Sequence, residues 1–585
     1  MKQFLKKTMA LICALSLVAG CGQADNAGTT GTESTETTAH GSKVFEGATV
    51  IELSDEEITV DGSVISDDTE SAVYAANDIV FYLEGQDFTY GEGEEADAHS
   101  QEEADAHTVV HITQPGTYAV SGKLSAGQIA IDLGEDAEED PEAVVTLILN
   151  GVDITCSVAP AVIFYNVYEC GSSDAETATN TVDTAAAGAN VLIADDSVNN
   201  VVGSYVARIY KPDSVVLSED GTEVEDAKKL HKYDAAFYSK KTMNVNGDEN
   251  GSGVLNITAE NEGLDSELHL TINGGNINIV SGNDGINTNE DEVSVTTVNG
   301  GTLKIRVSGT TGEGDGVDSN GWLVINGGTV IAEACSTSGD AGIDSDMGIH
   351  INGGTVIATG NMLDRISEST QNYAVFSFAG SQKGGETYTL KNEAGEAVFT
   401  CTPENDFSYL IVSSAELTAG TYSLWQGENQ MSASAGSMMG GFRGGFGGGF
   451  DGEMSEGGEF PEGMEMQEDG ENPDGFSMPE GMYRPEDGEM PDMQLPEGVE
   501  KPDGMERPVE GNEPAGNAPE GAGNGEGGET DGQMPEGGQF PQGGGRGDKG
   551  NGGMPGNMGG NGEASTEIII VDGGNYFSNV AVISE

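Results

Sequence analysis

Positive charge is scarce in this chain. Its 585 residues include 23 Lys and Arg against 100 Asp and Glu, a formal net charge of −77. Such a surface repels phosphate backbones, which argues against a nucleic-acid partner, and it concentrates cations instead. Cysteine is rare too, with six in all, and no pair has metal-ligand spacing. Cys13 and Cys21 belong to the N-terminal leader, which leaves Cys156, Cys170, Cys335 and Cys401. A Cys156–Cys170 bridge and two small buried thiols are both open readings, so the redox compartment is undecided. Beyond the N-terminus no apolar run is long enough to span a bilayer. No Ser-His-Asp or Cys-His signature stands out, and a glycosidase pair cannot be picked from 100 acids. Glycine, in contrast, is plentiful at 89 residues, which signals disorder or a turn-rich repeat. Both are expected here, in different places.

Residues 1–20 read as an export signal. Lys2, Lys6 and Lys7 precede an apolar run from Thr8 to Leu17, too short to be a stable membrane span. The run closes on Val18-Ala19-Gly20-Cys21, which resembles the bacterial lipoprotein cleavage box. That resemblance implies cleavage before Cys21, a lipid on its sulfur and a place on the outer face of the cell membrane. Residues 21–43 form a Thr/Gly/Glu-rich spacer.

The dominant feature of the body, 44–430, is a phrase that recurs four times. It ends in Asn-Gly-Gly at Asn273, Asn299, Asn326 and Asn352, in steps of 26, 27 and 26 residues. A fixed period of this length means stacked units. Apolar residues alternate around each corner: Leu268, Leu270, Ile272, Ile277 and Ile279 in the first unit, Leu323, Ile325, Val330 and Ala332 in a later one. Period-two apolar positions face one side, here the coil interior. The expected fold is all-β, a right-handed parallel β-helix (a solenoid). The corner asparagines are placed to stack as a hydrogen-bonded ladder. Residues from Tyr373 to Gly427 lose the period and read as a β-rich cap over the last coil. Residues 431–564 are Gly/Pro/Glu/Met-rich and are expected to be disordered. The segment 565–585 echoes the coil signature at Val571-Asp572-Gly573-Gly574; a strand returning to the body and a sticky terminal peptide are both open.

An acidic column precedes the Asn-Gly-Gly corners. Glu262 and Asp265 align with Asp284 and Asn287, with Asp315 and Asp318, and with Asp340 and Asp344. Two residues further on come Glu267, Asn289, Asn320 and Asp346. Coils about 4.8 Å apart would bring like charges together. Mixed Asp, Glu and Asn oxygens at equivalent corners are what Ca²⁺ prefers, against a purely structural turn-and-ladder role. The coil with Asn287 is expected to hold the weakest site.

With these residues in place, the chain resembles bacterial cell-surface carbohydrate-binding proteins with a calcium-binding, pectate-lyase-like right-handed parallel β-helix. The matching elements are Ala235–Gly247, the four GxDS…INGG coils, and the strands FSYLIVSS and GTYSLWQG. The resemblance implies binding of plant polysaccharides, cellulose and acidic pectin-type chains, with Ca²⁺ held by the acidic coils. Candidate sugar contacts are Trp322, which precedes the inward Leu323 and so should face out, and His269 in the equivalent position two coils earlier; a Trp partly covered by a neighbouring coil is the equally open reading. Lys304 and Arg306 alternate on one strand and are candidates to grip a carboxylate, against ordinary solvated charge. Basic residues near the coils are few, which favours a non-catalytic binder over a Ca²⁺-dependent lyase; a monomer is expected. A surface adhesin or scaffold without a sugar ligand is the third class.

Overall fold

The computed structural model describes residues 45–436 and 563–583. The leader with Cys21, the spacer up to residue 44 and the tract 437–562 lie outside the described residues. Its regular elements are almost all strands, with one short helix, Gln101–Asp105, and three short 3₁₀ segments among the described residues. The class is all-β, as the alternation implies.

Successive repeats contribute strands to three parallel ladders. The first runs through Val145–Thr155, Ala189–Ile193, Met243–Gly247, His269–Ile272, Val295–Val298, Trp322–Ile325 and Gly348–Ile351. The second runs through Val198–Gly203, Val254–Ala259, Asn276–Ser281, Thr302–Val307, Thr329–Glu333 and Thr355–Gly360. The third runs through Thr108–Ile112, Gly127–Asp132, Val162–Asn166, Ala235–Ser239, Glu262–Ser266 and Ile286–Thr288, and continues as a bridge to Val317. Register stacks like on like: Ile277, Leu303, Val330 and Val356 are partners down the second ladder, and Leu264, Ile286 and Val317 down the third. All are buried in one continuous core. The sheets are mixed overall, because antiparallel strands join at both ends.

The Asn-Gly-Gly corner has a physical reason for each residue. Asn352 Nδ2 donates to Asn326 Oδ1 (3.1 Å), Asn326 to Asn299 (3.0 Å), Asn299 to Asn273 (2.9 Å) and Asn273 to Asn246 (3.0 Å). The ladder thus starts one coil before the first Asn-Gly-Gly. The second glycine of each corner, Gly275, Gly301, Gly328 or Gly354, has φ between +75° and +91°, a region open to glycine at little cost.

The stack ends where Phe407–Ser413 pairs antiparallel with Thr355–Gly360. This cap has its own core of Phe376, Phe378, Tyr388, Phe407 and Leu424. Asn405 ties it down, donating from Nδ2 to the carbonyls of Val307 and Ala334 at 2.7 Å each. The late segment returns to the cap: Ile568–Ile570 pairs with Gly420–Gln426, and Gly574–Val582 pairs with Tyr373–Gln382 and with Asn429–Gly436. The body therefore runs to Gly436, past the 430 boundary read from composition. The acidic stretch 94–107, in which Glu-Glu-Ala-Asp-Ala-His occurs twice, forms two capped helical turns, and His107 is buried, accepting from Ser157 N–H at 3.2 Å.

Candidate functional site

The acidic corner lies on the third ladder. Its register follows the aligned repeat, with Asp265 opposite Asn287 and Leu264 opposite Ile286. The structure gathers the column into two clusters, each with carboxylate oxygens within 4.8 Å of one another. One is Asp234, Glu262 and Asp265; the other is Asp315, Asp318 and Asp344.

In the first cluster Glu262 and Asp265 are fully buried. Burial first, then the charges of Glu262, Glu267 and Asp234, hold the Asp265 carboxyl well above the usual carboxylate range. Asn289 Nδ2 donates to both Asp265 oxygens, at 3.0 and 3.1 Å. Asn287 joins from the next coil, its Nδ2 at 3.4 Å from Glu262 Oε2, and its buried Oδ1 has no hydrogen-bond partner. A cation is already present at one edge, since Lys232 Nζ is 2.7 Å from Asp234 Oδ2.

The second cluster is more purely acidic. Asp315 is pushed up strongly by burial, then by Asp344, Asp284, Asp318 and Asp340. Part of it is structural: Asp284 Oδ1 accepts from Asp315 N–H (2.7 Å), and Asp315 Oδ1 from Ala341 N–H (2.6 Å). One carboxylate oxygen of each thus braces the backbone of the next repeat. Asp364 extends the group. It is raised by burial, feels the charge of Asp318, and has a buried Oδ2 without a hydrogen-bond partner. Hard oxygen donors, crowded carboxylates and orphaned buried oxygens at Asn287 and Asp364 fit a divalent cation such as Ca²⁺.

Several residues read as one column separate. Glu267 turns to the Tyr238 hydroxyl and to Lys229 Nζ at 3.2 Å. Asp340 Oδ2 accepts from Gly314 N–H at 2.6 Å. Asn320 Nδ2 donates to Asn289 O and Asp291 Oδ1 at 2.9 Å each, and Asp346 is exposed. Asp234 and Asp364 were missed because both lie outside the Asn-Gly-Gly repeats. Asp364 carried only a weak signal: Leu363-Asp364 has the apolar-Asp form of Ile343-Asp344 but falls short of the repeat period.

The sugar candidates sit on other faces. Lys304 and Arg306 are on the outer side of the second ladder, and Arg306 Nε pairs with Glu404 at 3.2 Å. Arg306 is therefore committed to the cap. Trp322 and His269 share a column of the first ladder through Val295. Trp322 is half-buried. His269 corrects the expectation of an exposed ring: it is 2% exposed, packed under Gly171, and accepts from Val295 N–H on Nδ1 (3.1 Å). Desolvation pushes its pKa down to about 4, so it is neutral in the fold. Cys156, Cys170, Cys335 and Cys401 are all free, and burial raises the Cys156 and Cys170 thiols to about 11. No helix among the described residues is long and apolar enough to cross a membrane.

Residues 106–392 match the model of a family described as "Carbohydrate-binding domain-containing protein", a span just short of half the chain. It includes all three ladders and both carboxylate clusters, and it supports a carbohydrate-binding function. No curated protein matches the chain significantly. A solved structure of a polysaccharide lyase-like protein from C. thermocellum, a gadolinium derivative, is similar over 53% of this chain and 90% of that one, at 18% identity and a TM-score of 0.30.

Proposed function

We propose that the chain is a lipid-anchored, monomeric cell-surface protein that binds plant-type polysaccharides without cleaving them. Its three ladders wind as a right-handed parallel β-helix, and Ca²⁺ bound at the acidic corner helps hold acidic, pectin-like chains. The observation that carries the reading is the overlap just noted: the segment matching a carbohydrate-binding family is the segment that concentrates buried carboxylates at one corner. A net charge of −77 opposes the approach of a polyuronate. A cation can bridge coil and uronate carboxylates, since Ca²⁺ takes six to eight oxygens.

The test is a glycan array followed by titration of polygalacturonate. Binding should require Ca²⁺ and weaken as the carboxyls are methyl-esterified. Equal binding of esterified and free polymer in EDTA would reject the bridge, and an array without any hit would reject the sugar ligand.

A Ca²⁺-dependent lyase is the second reading, favoured by one observation. Burial raises the Asp364 carboxyl and the neighbouring Arg365 offsets part of that rise, so a basic group lies beside the acidic corner. A lyase needs a base within reach of the carbon next to the carboxyl group. Arg365 Nη2 donates instead to the Met347 carbonyl, which places the binder first. Release of unsaturated uronate, read as ultraviolet absorbance, would reverse that order.

A further inference from the structure

The chain between Val162–Asn166 and Ala189–Ile193 leaves the coil and lies along the outer face of the first ladder. Glu169 accepts from Thr242 N–H at 2.9 Å. The buried Thr184 hydroxyl reaches Asn244 Oδ1 (2.8 Å) and Thr271 Oγ1 (2.9 Å). Further along, Asn180 Nδ2 is 3.0 Å from His350 Nε2. This excursion forms one wall of a groove of about 570 Å³. The opposite side is the asparagine ladder, and the floor between them includes Thr271 and Thr297, which are register partners.

We propose that this groove holds an uncharged polysaccharide chain in extended form, running along the stacking direction with about one sugar ring per coil. The proposal rests on the polysaccharide-binding reading and gives it a second, cation-independent subsite. Three observations carry it. First, the ladder leaves hydrogen-bonding capacity over. An amide has two N–H donors and two acceptor positions. Asn299 commits one donor to Asn273 and one acceptor position to Asn326. Its remaining N–H and lone pair belong to an exposed side chain, as they do at Asn273 and Asn326. A donor–acceptor pair of this kind matches neighbouring sugar hydroxyls, which both give and take.

Second, the pair repeats at the coil spacing of about 4.8 Å, close to the advance of one pyranose ring in an extended β-linked chain. Third, the groove is almost free of charge. Asp183 alone among its lining residues is ionisable, in a chain where 21% of residues are charged. An uncharged, hydroxyl-rich ligand suits such a lining, and an anionic one is repelled by Asp183. The lining has no aromatic ring, so hydrogen bonds in register rather than stacking set the affinity.

The experiment is calorimetric titration of the full chain with cello-oligosaccharides in EDTA. Affinity should rise at least tenfold from cellobiose to cellohexaose and should not change when Ca²⁺ is added. Thr297→Val, which keeps the side chain's shape, and Asn326→Ala should each weaken cellohexaose about fivefold or more, with the melting temperature checked for each. Unchanged cellohexaose affinity in a folded Thr297→Val/Asn326→Ala double variant would overturn the groove and leave polysaccharide binding at another face. Polygalacturonate binding as tightly as cellohexaose in EDTA would overturn the preference for an uncharged chain. If neither polymer binds with or without Ca²⁺, the groove falls together with the reading beneath it.

Discussion

Chelating Ca²⁺ at pH 7 is expected to lower the melting temperature on the order of 5 °C, since two sites held at a hundred times their dissociation constants add about 2.7 kcal/mol each. The same chelation at pH 5 should have a smaller effect. The sign follows from the carboxyls of Asp265 and Asp315, which the fold holds well above their ordinary 3.8. Between that value and the raised one, the native state keeps protons that the unfolded state has released. Without a cation, stability therefore falls as pH rises through this window. Ca²⁺ takes the place of those protons, so its contribution grows with pH. His269 acts with the opposite sign. Held down to about 4, it costs stability as pH falls below 6.5, with or without Ca²⁺, and it cancels in the difference between paired melts. Asp315→Asn keeps an acceptor for Ala341 N–H and should remove about half of the Ca²⁺ shift, the share of its own cluster. Coincident melts with EDTA and with excess Ca²⁺ at pH 7 would reject both sites.

A single methyl group at Gly316 is the second large effect. A Cβ there would lie 2.3 Å from the Gly342 carbonyl oxygen and 2.9 Å from the Ala332 side chain. Gly263 and Gly285 occupy the same place in earlier coils, with a carbonyl oxygen of the next coil at 2.5 and 2.6 Å. The third ladder thus needs a glycine column between its acids, because adjacent coils touch there through backbone. Gly316→Ala should destabilise the body by about 1–3 kcal/mol through overpacking, read as a shift of the denaturant midpoint. Gly339→Ala is the control, since a Cβ at that position meets nothing within 4 Å. Equal midpoints for the two variants would show that the coils can spread.

These glycines bear on how far the sequence could be read. The period, the inward Leu270, Ile272 and Ile277, and the asparagine ladder were legible because identical neighbours repeat the same local demand. The acidic column was legible as a stripe, but its division was not. Lys232 beside Asp234, Tyr238 against Glu267 and Asp364 beyond the last repeat are tertiary partners that no period announces. The coverage of His269 was hidden for the same reason. The segment that buries it around Gly171 belongs to an aperiodic stretch, far away in sequence. Lys304, Arg306 and Trp322 each pointed outward as their alternation required. Outward from three different ladders means three different faces, and alternation alone does not say which.

The cap has a consequence for the order in which the body can be finished. Tyr373 meets Tyr576 hydroxyl to hydroxyl across a separation of 203 positions, and Phe376 stacks on Phe577 at 5.2 Å. A chain emerging from its N-terminal end can assemble the coils one upon another as they arrive. The ring of Phe376 then has to wait for a partner delivered much later. A chain interrupted anywhere in that interval has complete coils but leaves these cap aromatics without their partners. Sealing of the stack thus waits on residues that follow the long intervening tract, and a chain that stopped short would hold the Phe376 ring without its Phe577 partner.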